Sequence, residues 1–178
     1  MARITVNESG THPTLLISTT VGNAVQLEAG NISGSNVLAV TCLQDVTITA
    51  STGIYSWADF CSPDMNKLPT PADNEIAVNV VIDPTVYFGS NIANIGASNQ
   101  GLAYISQNKI PVQFLMVWNN DANVANLTNG NISNISGAYY SSGTGYVTQL
   151  APTASPEAPV YITPMTLAVD GTMYSRAS

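Results

Sequence analysis

Apolar and polar residues alternate with a period of two along much of the chain. The cleanest case is residues 74–83. Ile76, Val78, Val80 and Ile82 share one face there, and Glu75, Ala77, Asn79, Val81 and Asp83 the other. That period, with β-branched residues, predicts a half-buried strand that Pro84 stops. Residues 36–50 form a longer apolar-rich run. Leu38, Val40, Cys42, Val46 and Ile48 fall on one side of it with Gln44. Thr41, Asp45, Thr47 and Thr49 fall on the other with Val37, Ala39 and Leu43. Residues 14–21 and 23–28 flank Gly22 and Asn23, which predicts a tight hairpin. Residues 111–119 are apolar on both faces, as a central or interface strand is. Residues 146–150 and 160–169 read as the last strands, and Asp170-Gly171 as a turn.

One helix is expected, within residues 91–108. Ser98 is its candidate cap, Leu102, Ile105 and Ala97 its apolar side, and Lys109 the cation beyond its end. Gly101 weakens it. Residues 121–134 are Asn-rich and predict an exposed loop or loose hairpin. The fold class is therefore all-β, a sandwich or barrel of antiparallel strands with one short flanking α-helix. A length of 178 residues suits one domain. It is taken as residues 1–178, with N-terminal strands or an arm at 1–35.

Residues 56–73 break the pattern. They hold three prolines, three aspartates and a lysine, and are too long for a hairpin turn. Trp57, Phe60, Met65 and Leu68 give them apolar anchors that a disordered linker does not need. A long inter-strand loop that docks onto something is expected.

Charge changes the picture further. Four Lys and Arg stand against eleven Asp and Glu, only 8% of residues are charged, and the net charge is −7. Ordinary soluble domains carry about 25% charged residues. A chain this poor in charge must protect its surface otherwise, and burial against copies of itself does so. The acidic balance and missing basic patch argue against nucleic-acid binding.

Little chemistry is legible. His12, the sole histidine, stands beside Pro13, a poor setting for a general base. Cys42 and Cys61 form no metal-binding spacing, and cytosolic production favours free thiols. Asp59, Asp64 and Asp73 match no calcium loop, Lys67 lies among them, and a solvated acidic loop explains them better. No carboxylates pair as in a glycosidase, and no Gly-rich phosphate loop occurs. Asn-x-Ser/Thr triplets begin at Asn7, Asn31, Asn126, Asn131 and Asn134, a chance product of so much Asn, Ser and Thr. The start, Met1-Ala2-Arg3-Ile4-Thr5, lacks the form of a signal peptide, and no run approaches a membrane helix. No enzyme, cofactor or metal site is expected.

The order of parts resembles the tail tube protein of long non-contractile-tailed, lambda-like bacteriophages. Residues 42–49 correspond to an early strand. The aromatic, acidic, Pro-bearing stretch from Trp57 to Asp64 corresponds to a loop. Residues 74–83 form the next strand, followed by a helix and strand through Gly101 to Trp118. Residues 146–150 and 155–171 form the closing pair. The resemblance spans Val37 to Gly171. The Asn-rich 121–134 segment and the scarcity of Lys and Arg depart from it.

That resemblance implies rings, usually of six subunits, stacked into a hollow tube in the virion tail. DNA passes through the lumen unbound, and tape-measure, tail-terminator and tail-tip proteins are further partners. It implies inner sheets joined into a barrel, which removes edges without charged guards. An acidic wall cannot condense phosphates onto itself. Glu75 and Asp83, then Asp45, are the expected lumen residues, the alternative being an ordinary solvent-facing sheet. Trp57, Asp59, Phe60, Asp64, Met65, Lys67 and Leu68 are the expected ring-to-ring contacts, the alternative being a loop folded on its own subunit. A capsid decoration or other head or tail protein is the competing function. An extracellular adhesin ranks lower, for want of an export signal and an aromatic platform.

Overall fold

The computed structural model describes residues 11–32, 37–40, 43–58, 64–81, 83–89, 101–121, 132, 138–153, 156 and 162–177. Among them, seven strands form one sheet: β1 (Thr11–Ser18), β2 (Val37–Val40), β3 (Leu43–Trp57), β4 (Asn66–Val81), β5 (Val112–Asp121), β6 (Tyr139–Leu150) and β7 (Ile162–Ala177). Their order is β2-β1-β5-β6-β7-β4-β3, and every pairing is antiparallel. Three short helices accompany it: α1 (Ala24–Glu28), α2 (Pro84–Phe88) and α3 (Leu102–Gln107). The all-β expectation holds, with three helices where one was expected.

The sheet curls on itself. Leu15, Ile17 and Val40 from one edge meet Ile76, Val78 and Val80 from near the other, around Phe114, Met116, Met165 and Leu167. Leu102 and Ile105 of α3 complete this core, the side expected of them. A second, smaller cluster covers the opposite face of β1 and β5. There Leu16, Leu115 and Val117 pack with Tyr140, Ile132 and Leu27 of α1. The alternation in residues 76–80 is obeyed: Ile76, Val78 and Val80 are buried, and Glu75 is exposed. Ile82 lies outside the described residues.

Several expectations change. Residues 23–28 are not a strand. Asn23 caps α1 instead, its side chain accepting from the Gln26 N–H at 2.9 Å, and the good helix formers that follow carry the turn. Residues 36–50 divide into β2 and β3, and a register shift between Leu43 and Asp45 lets Leu43 join Val46 and Ile48 on the core side. Asp170-Gly171 does not end a strand: Gly171, at φ 82°, sits inside β7 where one residue of β6, Gly143, stands against three of β7. A glycine there admits a left-handed bulge. Ser98 and Ala97 lie outside the described residues, as do Cys42, Cys61 and most of the Asn-rich stretch.

Gly101 is the N-cap of α3. A Cβ on it would come within 2.4 Å of the backbone at Tyr87, Phe88 and Gly89, so its absence allows α2 and α3 to touch. Lys109 follows α3 at φ 52°, with the Ile110 N–H donating to the Ile105 carbonyl at 3.0 Å, the left-handed geometry that ends helices. Gly101→Ala is expected to lower stability by about 1–3 kcal/mol, because backbone rather than a flexible side chain must yield. Urea denaturation of the two proteins checks this.

Candidate functional site

Most of the described part of the stretch expected as a loop is paired β-strand. β3 and β4 pair from Leu43↔Val80 out to Trp57↔Asn66. β7 pairs with β4 only from Glu75 to Val81. Residues 50–57 and 66–74 therefore part from β7 and pair only with each other, as a two-stranded arm about 25 Å long at ~3.3 Å per residue. The prolines did not forbid strand. Pro69 and Pro71 lie where β4 has no second neighbour, and an edge tolerates a missing N–H. A register shift between Thr52 and Ile54 marks the root of the arm. A Cβ on Gly53 would lie 2.2 Å from Thr70 Oγ1.

The arm exposes several large apolar side chains. Ile54 and Tyr55 are 61% exposed, Met65 61% and Leu68 56%. Tyr55 and Trp57 stack at 5.9 Å, and Leu68 stands directly across the arm from Tyr55. Lys67 stands across from Ser56, and Asp64 is exposed just before the second strand. Of the expected contact residues, Trp57, Asp64, Met65, Lys67 and Leu68 thus share this arm, while Asp59 and Phe60 lie outside the described residues. Ile54 and Tyr55 were missed. Their signal was the alternation Ile54-Tyr55-Ser56-Trp57, which continues β3.

A second surface lies on the outward face of β3, β4, β7 and β6. Asp45, Thr47 and Thr49 face Asn79, Ala77 and Glu75 across the β3–β4 pair. Thr166 and Ala168 extend the row on β7, and Tyr146 on β6. Asn79 Nδ2 donates to Asp45 Oδ2 at 2.7 Å. Glu75 and Asp45 are exposed on this face, and Asp73, paired with Ser51, continues it into the arm. At these positions every charge is acidic. Arg176 lies apart, at the end of β7, in an ion pair with Glu28 of α1.

Asp83 departs from expectation. β4 ends at Val81, and Asp83 is the N-cap of α2, accepting from the Thr85 N–H at 2.8 Å and the Thr85 hydroxyl at 2.6 Å. It is not part of the strand's polar face. Among the described residues, no three or more His, Cys, Asp or Glu side chains gather to hold a metal ion, and no helix is long and apolar enough to cross a membrane.

No protein-family model and no curated protein matches the sequence. Solved structures do. A chain of the SPP1 tail tube superposes with a TM-score of 0.51 at 10% identity, over 98% of this chain and 80% of its own. This is the tail-tube fold. A chain from the tail of an empty gene transfer agent particle with C6 symmetry shares it, with a TM-score of 0.52 at 10% identity over 79% of this chain and 87% of that one. A chain from the virion of a native gene transfer agent gives 0.51 at 12% identity over 92% and 95%. In this example of the tail-tube fold the arm and the acidic face are built by the same two strands, β3 and β4.

The hydrogen bonds from the Thr85 hydroxyl, then from its backbone, hold the Asp83 carboxyl below its ordinary 3.8. A carboxyl lowered on folding adds stability that is complete above about pH 4 and is lost as pH falls through the lower folded value. Asp83→Ala is expected to cost about 1 kcal/mol at pH 7 and less at pH 2–3. Asp83→Asn keeps the cap but not the titration. Thermal melts across that range check both.

Proposed function

We propose that this protein is a structural virion protein, the subunit of a phage tail tube. Its copies form rings, six to a ring, that stack into a hollow conduit for genomic DNA. The observation that carries this reading is the two-stranded arm on a tail-tube fold: a monomer gains nothing from holding Ile54, Tyr55, Met65 and Leu68 in water. Burying such side chains contributes about 1.5–3 kcal/mol each, which a neighbouring copy can supply. The chain's low charge fits the same account, since the surface is covered by assembly.

Glu75 and Asp45 face the lumen in this reading, on a sheet face where every charge at the positions described is acidic. DNA carries one charge per about 1.7 Å, so basic residues repeated around each ring would bind its phosphates and retard it. Asp83 caps α2, off the strand face that carries Glu75 and Asp45. The protein works without cofactor or catalysis as a single tail-tube domain, and lies in the tail of the virion. Tape-measure, terminator and tail-tip proteins are its further partners.

Negative-stain electron microscopy of the concentrated protein is expected to show rings or hollow tubes with a lumen wide enough for duplex DNA. Persistent monomers that bind a capsid shell at fixed valency would favour a decoration protein. In particles carrying Glu75→Lys, tubes should form normally while DNA ejection slows at low salt. Unchanged ejection would remove Glu75 from the lumen.

A further inference from the structure

β4 links two different ends of the molecule. Asn66 lies at the arm's tip. Val80 and Val81, about 45–50 Å of strand away at ~3.3 Å per residue, line a small cavity. Its walls include Val86 and Tyr87 of α2, Leu102 of α3 and Thr163 of β7, and Asp83 is also part of its lining. The cavity holds about 20 Å³, room for a single water-sized group or the end of one side chain. Thr163 is 1% exposed, and its Oγ1 has no hydrogen-bond partner. A buried hydroxyl left so costs free energy until something accepts from it.

The tip carries matching parts. Met65 is long, unbranched and exposed, the shape that enters a narrow apolar cavity, and its thioether is a weak acceptor. Lys67 follows two residues later, one position inside the start of β4. In a chain with four Lys and Arg in 178 residues, a cation beside the probing side chain and an anion beside the cavity are complementary.

Resting on the tail-tube reading, we propose that the cavity beneath α2 is the receptor for the arm of a second copy. Met65 enters it to meet the Thr163 hydroxyl, and Lys67 pairs with Asp83. The two surfaces are different and lie at opposite ends of β4. The contact is therefore heterologous, and between stacked rings it repeats from copy to copy along the tube.

The test is oxidative cross-linking of tubes formed by Met65→Cys/Val86→Cys protein in a Cys42→Ser/Cys61→Ser background, beside each single-cysteine control. The expected result is a ladder of disulfide-linked oligomers from the double variant, with no species beyond dimer from either control. Normal tubes without a ladder would overturn the receptor assignment and leave the tube reading standing. If the unmodified protein forms neither rings nor tubes, both readings fall. As a second measurement, Lys67→Glu should raise the concentration needed for tube formation about tenfold, the scale of replacing a close attraction by repulsion, and adding Asp83→Lys should restore it. Assembly of Lys67→Glu at the wild-type concentration would remove the ion pair from the proposal.

Discussion

Six consecutive residues of β5, Val112 to Val117, are entirely removed from solvent, and the architecture is arranged around that burial. A strand with two dry faces needs a partner on each side for its backbone and a layer over each face for its side chains. β1 and β6 satisfy the backbone. The curled sheet covers Phe114 and Met116, while α1 and Tyr140 cover Leu115 and Val117. Phe114 reaches so close to β6 that a Cβ on Gly143 would stand 2.9 Å from its ring. With the interior anchored there, β3 and β4 at the far end of the sheet are free to part from β7 and pair on their own.

Much of this was legible in the residues. The doubly apolar 111–119 run announced a central strand, and the alternation from Ile76 to Val80 gave both the core side and the acidic side. Leu102 and Ile105 fell on the correct side of the one helix expected. Glycine and proline were harder to read. Gly22-Asn23 looked like a hairpin turn but supplies a helix cap, and Asp170-Gly171 looked like a turn but is a bulge. In both cases the local conformation was irregular as inferred; a local side-chain cap decided the first, and the pairing of β7 with β6 the second.

The arm shows the same lesson at larger scale. Three prolines between residues 56 and 73 argued for a loop, because proline is excluded from the middle of a sheet. That exclusion depends on how many neighbours a strand has, and neighbour number is a property of the whole topology. The apolar anchors Trp57, Met65 and Leu68 were recognised without it, whereas Ile54 and Tyr55 were hidden by the break placed at residue 56. Asp83 was misplaced by one element, since a strand ending at Val81 turns a polar-face position into a cap.

Pro69 and Pro71 also bear on how the exposed arm behaves toward other chains. A bare two-stranded ribbon with aromatic and aliphatic side chains is a template on which further chains can lay down strands, the route by which sheet proteins turn into fibres. Prolines along one margin of the ribbon deny an incoming strand two of the donors it needs. The arm's stickiness is thus confined to its side chains, which recognise shape, and withheld in part from its backbone, which recognises any strand. An exposed apolar ribbon can thus stay in solution without seeding the open-ended strand pairing that its bare margin would otherwise invite.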